Sequence, residues 1–160
     1  DAADFGNMSV SRENASGVAD DTRAVFGGGY TTGSSNVIDY VILDALSNAY
    51  DFGDMLETGQ VSQGTGDGSR GVFLGKSPTS ARIEYITIAT ASNAADFGDL
   101  SVARFNSAAC SDGSRALGIG GYTTTKVDVI DYFAISTTGN ATDFGNLDKE
   151  RDGNAACSGD

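Results

Sequence analysis

Residues 36–43, NVIDYVIL, are rich in β-branched and aromatic side chains and show no helical period. In an extended chain Ile38, Tyr40 and Ile42 share one face. Val37, Val41 and Leu43 share the other, with Asp39 among them. A strand apolar on both faces is covered on both faces. The stretch RAVFGGG (23–29) predicts a second strand, ending in glycines that permit backbone angles closed to other residues. GDGS (66–69) and SDGS (111–114) place Asp-Gly turns ahead of that strand, and residues near 105–110 form the strand leading into the turn. DFGDLSV (96–102) reads as a fourth strand, and no segment reads as an amphipathic helix.

The pattern recurs. DFG occurs four times and brings Asp4, Asp51, Asp96 and Asp143 into register at spacings of 47, 45 and 47 residues. Arg23, Arg70 and Arg115 obey the same register, as do Tyr40, Tyr85 and Tyr132, each preceded by an acid: Asp39, Glu84 and Asp131. VFGGGY (25–30), VFLGKS (72–77) and LGIGGY (117–122) also align. The second repeat is two residues shorter, with the deletion between Lys76 and Glu84, which predicts a loop there. Three full repeats follow, 12–58, 59–103 and 104–150, with flanking strands expected in 1–11 and 151–160 and no second domain. Four antiparallel strands in about 46 residues, repeated and covered on both faces, predict an all-β fold of β-propeller blades. In this reading the Phe of DFG (Phe52, Phe97, Phe144) fills the space between adjacent sheets, and its Gly lets the strand bend at a crowded point.

Composition narrows the chemistry. The formal net charge of −12 opposes binding to nucleic acid and to anionic lipid. No run approaches the roughly 18 apolar residues of a membrane span, and no signal peptide is visible. The sequence starts at Asp1 without Met, so the expectation is a processed chain or a segment of a longer one. With no His, a Ser-His-Asp triad, a Cys-His pair and a His-ligated zinc site are all excluded within this chain. Two cysteines, Cys110 and Cys157, are too few for a zinc cluster or a disulfide scaffold. They fill one slot in successive repeats, where Val18 and Thr65 stand earlier, so free thiols are favoured over a bridge.

The series VFGGGY, NVIDY, DFGDL and Arg104 resembles a kelch repeat, which has a strand ending in a Gly pair, an acid with Tyr, an aromatic followed by Leu, then Arg. Phe stands where kelch repeats usually have Trp. The second repeat departs furthest, with Gly75-Lys76 for the Gly pair and Gly59 for the Arg. The wording GGGYTT, NVIDY and NATDFG is similar to that of uncharacterised repeat proteins of bacteriophages, notably aquatic ones. That resemblance implies a virion component, in the tail or a fibre. Three blades with one strand before and one after do not close a ring, so the expected partners are self or other virion proteins, engaged through residues 1–11 and 151–160.

The recurring acids Asp39, Glu84 and Asp131 invite a cation or a catalytic role. A structural ion pair with Arg23, Arg70 and Arg115 is the favoured reading, because a catalytic acid has no reason to be copied into each blade. Asp20, Asp21, Asp67 and Asp112 sit at turns, where turn chemistry accounts for them better than calcium. FGGGY lacks the Lys-Ser/Thr and the following helix of a phosphate loop. Asn7, Asn14 and Asn140 begin glycosylation sequons, which matter only in a glycosylating pathway. The candidate contact loops are Tyr30–Ser35 and Tyr122–Asp128, with Tyr30, Thr31, Thr32, Tyr122, Thr123 and Thr124 as binding residues suited to glycan or protein.

The functional expectation is a structural or adhesive virion protein, extracellular, without enzymatic activity, cofactor or metal. Its contacts are with virion proteins or a host-surface glycan. The alternative is a cellular kelch-type interaction module. A carboxylate-based glycan-active enzyme ranks last, since it needs two acids about 5–9.5 Å apart in one cleft.

Overall fold

The computed structural model describes residues 3–157. It is all-β, with three four-stranded antiparallel sheets in chain order. The first holds β1 (Ser16–Ala19), β2 (Arg23–Gly27), β3 (Val37–Ile42) and β4 (Tyr50–Asp54). The second holds β5 (Gln60–Gly66), β6 (Arg70–Ser77), β7 (Ser80–Thr87) and β8 (Ala95–Arg104). The third holds β9 (Ala108–Ser111), β10 (Arg115–Tyr122), β11 (Lys126–Ala134) and β12 (Thr142–Arg151). Each strand pairs with its neighbours in sequence. The first strands β1, β5 and β9 stand side by side.

Two expectations change. The described parts of the flanks, residues 3–11 and 152–157, form no strand, so the described chain has twelve strands and not fourteen. A strand needs a continuous ladder of backbone hydrogen bonds, and among the described residues the flanks make only isolated ones, such as Ala49 to Asn7 and Gly153 to Asn106. Residues 1, 2 and 158–160 of those flanks lie outside the described residues. The deletion in the second repeat makes no loop either: β6 runs to Ser77 and β7 starts at Ser80, so a tight turn replaces the longer loops of the other repeats.

DFG forms the same β-bulge in every sheet. Ile38 faces Gly53 and Asp39 faces Asp51, which leaves Phe52 as the extra residue. Phe97 is extra between the pairs Ile83–Gly98 and Glu84–Asp96, and Phe144 between Ile130–Gly145 and Asp131–Asp143. A bulge re-aims its side chain and bends the strand. Each Phe meets its own sheet's Tyr edge to face at 5.9 Å: Tyr40–Phe52, Tyr85–Phe97 and Tyr132–Phe144. Phe52 and Phe97 are each 2% exposed, buried against the sheet that follows. The glycine follows from the same packing. Gly53 has φ +140°, and a Cβ there would lie 2.6 Å from the Ser92 carbonyl. At Gly98, φ +143°, it would overlap the carbonyl of Gly139. The backbone before the next DFG therefore runs directly over each glycine. The Asn three residues ahead of each DFG secures that crossing: Asn93 Oδ1 accepts from the Asp54 amide at 2.9 Å, and Asn140 Oδ1 from the Asp99 amide at 3.1 Å.

Asp39, Glu84 and Asp131 are fully buried and paired with cations, but those cations are Arg12, Lys76 and Arg104. The expected pairing with Arg23, Arg70 and Arg115 is wrong. Arg23 and Arg70 lie over Tyr40 and Tyr85 instead, at 4.8 and 4.4 Å from the ring centroids. From there they cross to the following sheet: Arg23 Nη1 donates to the Ala89 carbonyl at 2.9 Å and Arg70 Nη1 to the Ile135 carbonyl at 2.6 Å. They share the sheet face of Tyr40 and Tyr85, the face turned to the next sheet, whereas the acid one residue before each Tyr points from the opposite face.

The second repeat builds its ion pair from a different position. Arg12 and Arg104 occupy one repeat position, which is Gly59 in the second repeat; Gly29 and Gly121 occupy another, which is Lys76. A Cβ on Gly29 would meet Arg12 Cδ at 3.0 Å, one on Gly121 would meet Arg104 Cδ at 3.2 Å, and one on Gly59 would meet Lys76 Cδ at 3.2 Å. One cation therefore fills one space from either side, and the opposite position must be Gly. Lys76→Gly alone leaves Glu84 buried without a counter-charge, and should cost about 3–5 kcal/mol. Adding Gly59→Arg should recover most of that loss in urea unfolding. A double variant no more stable than Lys76→Gly would refute the exchange.

Candidate functional site

Two regions combine side chains with room for a partner. The first is the loop end, where β2–β3 and β10–β11 connect. After the β2 glycines the chain turns at Tyr30, which forms isolated bridges with Glu13 and Ser34, and Thr31 donates its amide to the Gly33 carbonyl at 3.0 Å. Tyr30, Thr31 and Thr32 are exposed and border a shallow recess with Arg12 and Glu13. Tyr122 ends β10 and stacks on Phe105 at 5.4 Å, with Thr123 half-buried and Thr124 exposed. The six predicted residues thus sit on two loops of one end. Both tyrosines exchange backbone hydrogen bonds with the equivalent residue, Glu13 or Phe105, and among the described residues only the Tyr122 ring meets an aromatic ring, tilted at 59°. Ser77 occupies the matching position of the second repeat, on the short turn. At the same end, where the chain enters β1, β5 and β9, lies a hollow of about 420 Å³ whose lining includes Asn14, Gln60, Ser77, Phe105 and Asn106. Sequence reasoning missed this hollow, because its lining is gathered from segments far apart in the chain.

The second region is the outer face of the third sheet. Arg115, Leu117, Tyr132 and Phe144 match Arg23, Val25, Tyr40 and Phe52, and they match Arg70, Val72, Tyr85 and Phe97. In the first two sheets this set is covered by the sheet that follows. In the third it lines an open groove of about 260 Å³ together with Cys110 and Asp112, and Phe144 is 58% exposed. Gly145 keeps φ +142°, like Gly53 and Gly98, yet a Cβ there would meet nothing within 4 Å. The Arg115 guanidinium reaches no carbonyl among the described residues. At the opposite end, Phe5 and Met8 line a shallow recess together with Ala24, Phe26, Val41 and Leu43, so residues 3–12 run beside the first sheet where the last strand of a preceding sheet would stand. There Ser9 Oγ donates to Asp39 at 2.6 Å, as Ser101 Oγ does to Asp131 at 2.5 Å.

The turn acids serve the backbone. Asp20 Oδ1 accepts from the amides of Thr22 and Arg23, Asp67 from those of Ser69 and Arg70, and Asp112 from those of Ser114 and Arg115, all at 2.7–2.9 Å. The Arg115 and Ser114 amides hold the Asp112 carboxyl below its ordinary value. At Asp20 burial pushes the pKa up, but the bonds from Thr22 and Arg23 outweigh it and the net shift is downward. Cys110 and Cys157 are free thiols; burial pushes the Cys110 thiol up, and Cys157 nearby adds to the effect. Among the described residues no group of three or more Cys, Asp or Glu side chains is placed to hold a metal ion, and no helix is long and apolar enough to cross a membrane. No family model matches the chain, and no curated protein matches it.

A carboxyl with a lowered folded-state pKa adds stability above its unfolded value, near 3.8 here, and the gain disappears as pH falls through the folded pKa. Urea unfolding of the chain should therefore weaken from about pH 4 downward. A variant with Asp20→Asn and Asp112→Asn should lose less stability across that window. Parallel curves for the two proteins would contradict the assignment.

Proposed function

We propose that this chain is a structural or adhesive component of a virion, of the phage tail or fibre kind, without catalytic activity of its own. Its sheets act as blades of a kelch-like β-propeller, and its ends are joined to further blades. One observation carries the assembly half: the third sheet displays bare the residue set that the first two sheets bury. An apolar face of that kind, with an arginine aimed outward and a glycine conformation that nothing in the chain uses, fits one more sheet of the same repeat. The partners are self or other virion proteins, met through the segments flanking residues 12–150. The virion setting comes from the resemblance to phage repeat proteins. The Tyr30 and Tyr122 loops, at the free end of the sheets, are the surface for protein or host glycan.

Extension tests the stacking. A chain with residues 105–151 copied after Arg151, and the inner Asp148 changed to Ser to match Ser101, should unfold in one transition with a larger urea m value than the parent. Two separate transitions would show that the end face does not accept a sheet. The native chain should show concentration-dependent association in sedimentation velocity, reduced by Phe144→Ser. A monodisperse monomer at every concentration would count against a partner at that face. Electron microscopy of the native source should locate the chain on a particle or filament; a free cytosolic monomer there would end the virion reading.

A further inference from the structure

The hollow at the loop end has a chemistry of its own. Its volume, about 420 Å³, falls within the roughly 300–1,000 Å³ of small-ligand sites. Its polar lining among the described residues is Asn14, Gln60, Gln63, Ser77, Asn106, Ser107 and Asn154, all neutral amides and hydroxyls. No described lining residue is ionisable, although the chain carries 22 acidic side chains. A charged ligand would therefore find no counter-charge there, whereas a neutral one with many hydroxyls finds donors and acceptors together.

Three further features point to an occupant. Ser107 is 1% exposed, and its Oγ has no hydrogen-bond partner among the described residues. A buried hydroxyl left unpaired is costly, and a ligand hydroxyl would relieve that cost. Asn14 and Asn106 occupy the same repeat position and share a left-handed backbone, φ 54° and 53°, which Asn accommodates better than most non-glycine residues. Asn14 Nδ2 donates to Gln60 Oε1 at 3.1 Å, which joins two lining amides into a unit with an acceptor and a donor still to offer. Finally, the Phe105 ring, backed by Tyr122, supplies the one aromatic surface of the lining, of the kind on which the C–H face of a sugar ring packs.

We propose that this hollow is a binding site for a neutral saccharide unit. The inference rests on the adhesive half of the proposed function and is independent of sheet stacking, so either can fail alone.

The test is amide-shift titration of the isotope-labelled chain with the methyl glycosides of glucose, galactose and N-acetylglucosamine, and with glucuronate as the anionic comparison. At least one neutral glycoside should give saturable shifts at Asn14, Gln63, Asn106 and Ser107, with a Kd in the range of about 1 mM, and glucuronate should bind at least about tenfold more weakly. Asn106→Gly keeps the backbone angle and removes the amide. Ser107→Ala removes the unpaired hydroxyl. Each should weaken binding about tenfold, the value of one neutral hydrogen bond, with the melting transition intact. Gln63→Ala replaces either one that fails to fold. No saturable shift up to about 50 mM of any neutral glycoside, equal binding of glucuronate, or unchanged affinity in the folded variants would each overturn the proposal.

Discussion

A carboxylate buried in the third strand of each sheet is the constraint to which the rest of the structure answers. Asp39, Glu84 and Asp131 are completely enclosed. A charge so enclosed demands a cation and hydrogen-bond donors, and one donor in each case, Ser9, the Leu56 amide or Ser101, reaches in from the segment before the repeat. Arg104 lies at the end of β8 and crosses to Asp131 on β11 at 2.8 Å, with Ser101 of β8 donating to the same carboxylate. In the second sheet Lys76 is bonded to Glu84, while the amide of Leu56, beyond β4, donates to the other carboxylate oxygen at 2.9 Å. At Asp39 the contact with Arg12 is ionic, 2.9 Å but off the hydrogen-bond angle, and Arg12 Nη2 donates to the Phe26 carbonyl instead. Removing any of these cations strands a charge in an apolar interior. The second repeat could lose its arginine only because a lysine entered the same space.

The bulge at DFG serves the same joint from the other side. By inserting one residue it turns Phe52 and Phe97 toward the next sheet, and the bent glycine clears a path for that sheet's backbone. The asparagine before the next DFG then bonds the strand just past the glycine. Interface and turn are thus one device, written by one eight-residue motif. This is why the motif recurs at the spacing of whole sheets and not at the spacing of strands.

The stacking also shapes the loop end. First strands that stand side by side bring equivalent positions of the three repeats together, so the hollow is lined by residues far apart in the chain, such as Asn14, Gln60 and Asn106. Its walls are the segments that enter the first strands of the three sheets, closed by residues just past β12.

Register made the strands legible. Val37–Ile42, Arg23–Gly27 and Ala95–Arg104 fall where β-branched residues and glycine turns predict them, because a strand's two-residue period is a local property of the chain. That Asp39, Glu84 and Asp131 need a counter-charge was legible too, since burial of a carboxylate has one common remedy. Which cation answers them was not. Arg23 and Arg12 are both within reach in sequence, and only the direction of each side chain relative to the sheet separates them. The substitutions at Gly59 and Lys76 looked like two losses of pattern until their side chains were seen to share one space. The identity and spacing of the sheets were thus settled by local chemistry. The ion-pair partners, the open face of the third sheet and the neutral hollow were decided by packing between repeats, because each depends on which atoms of distant residues occupy the same few cubic ångströms.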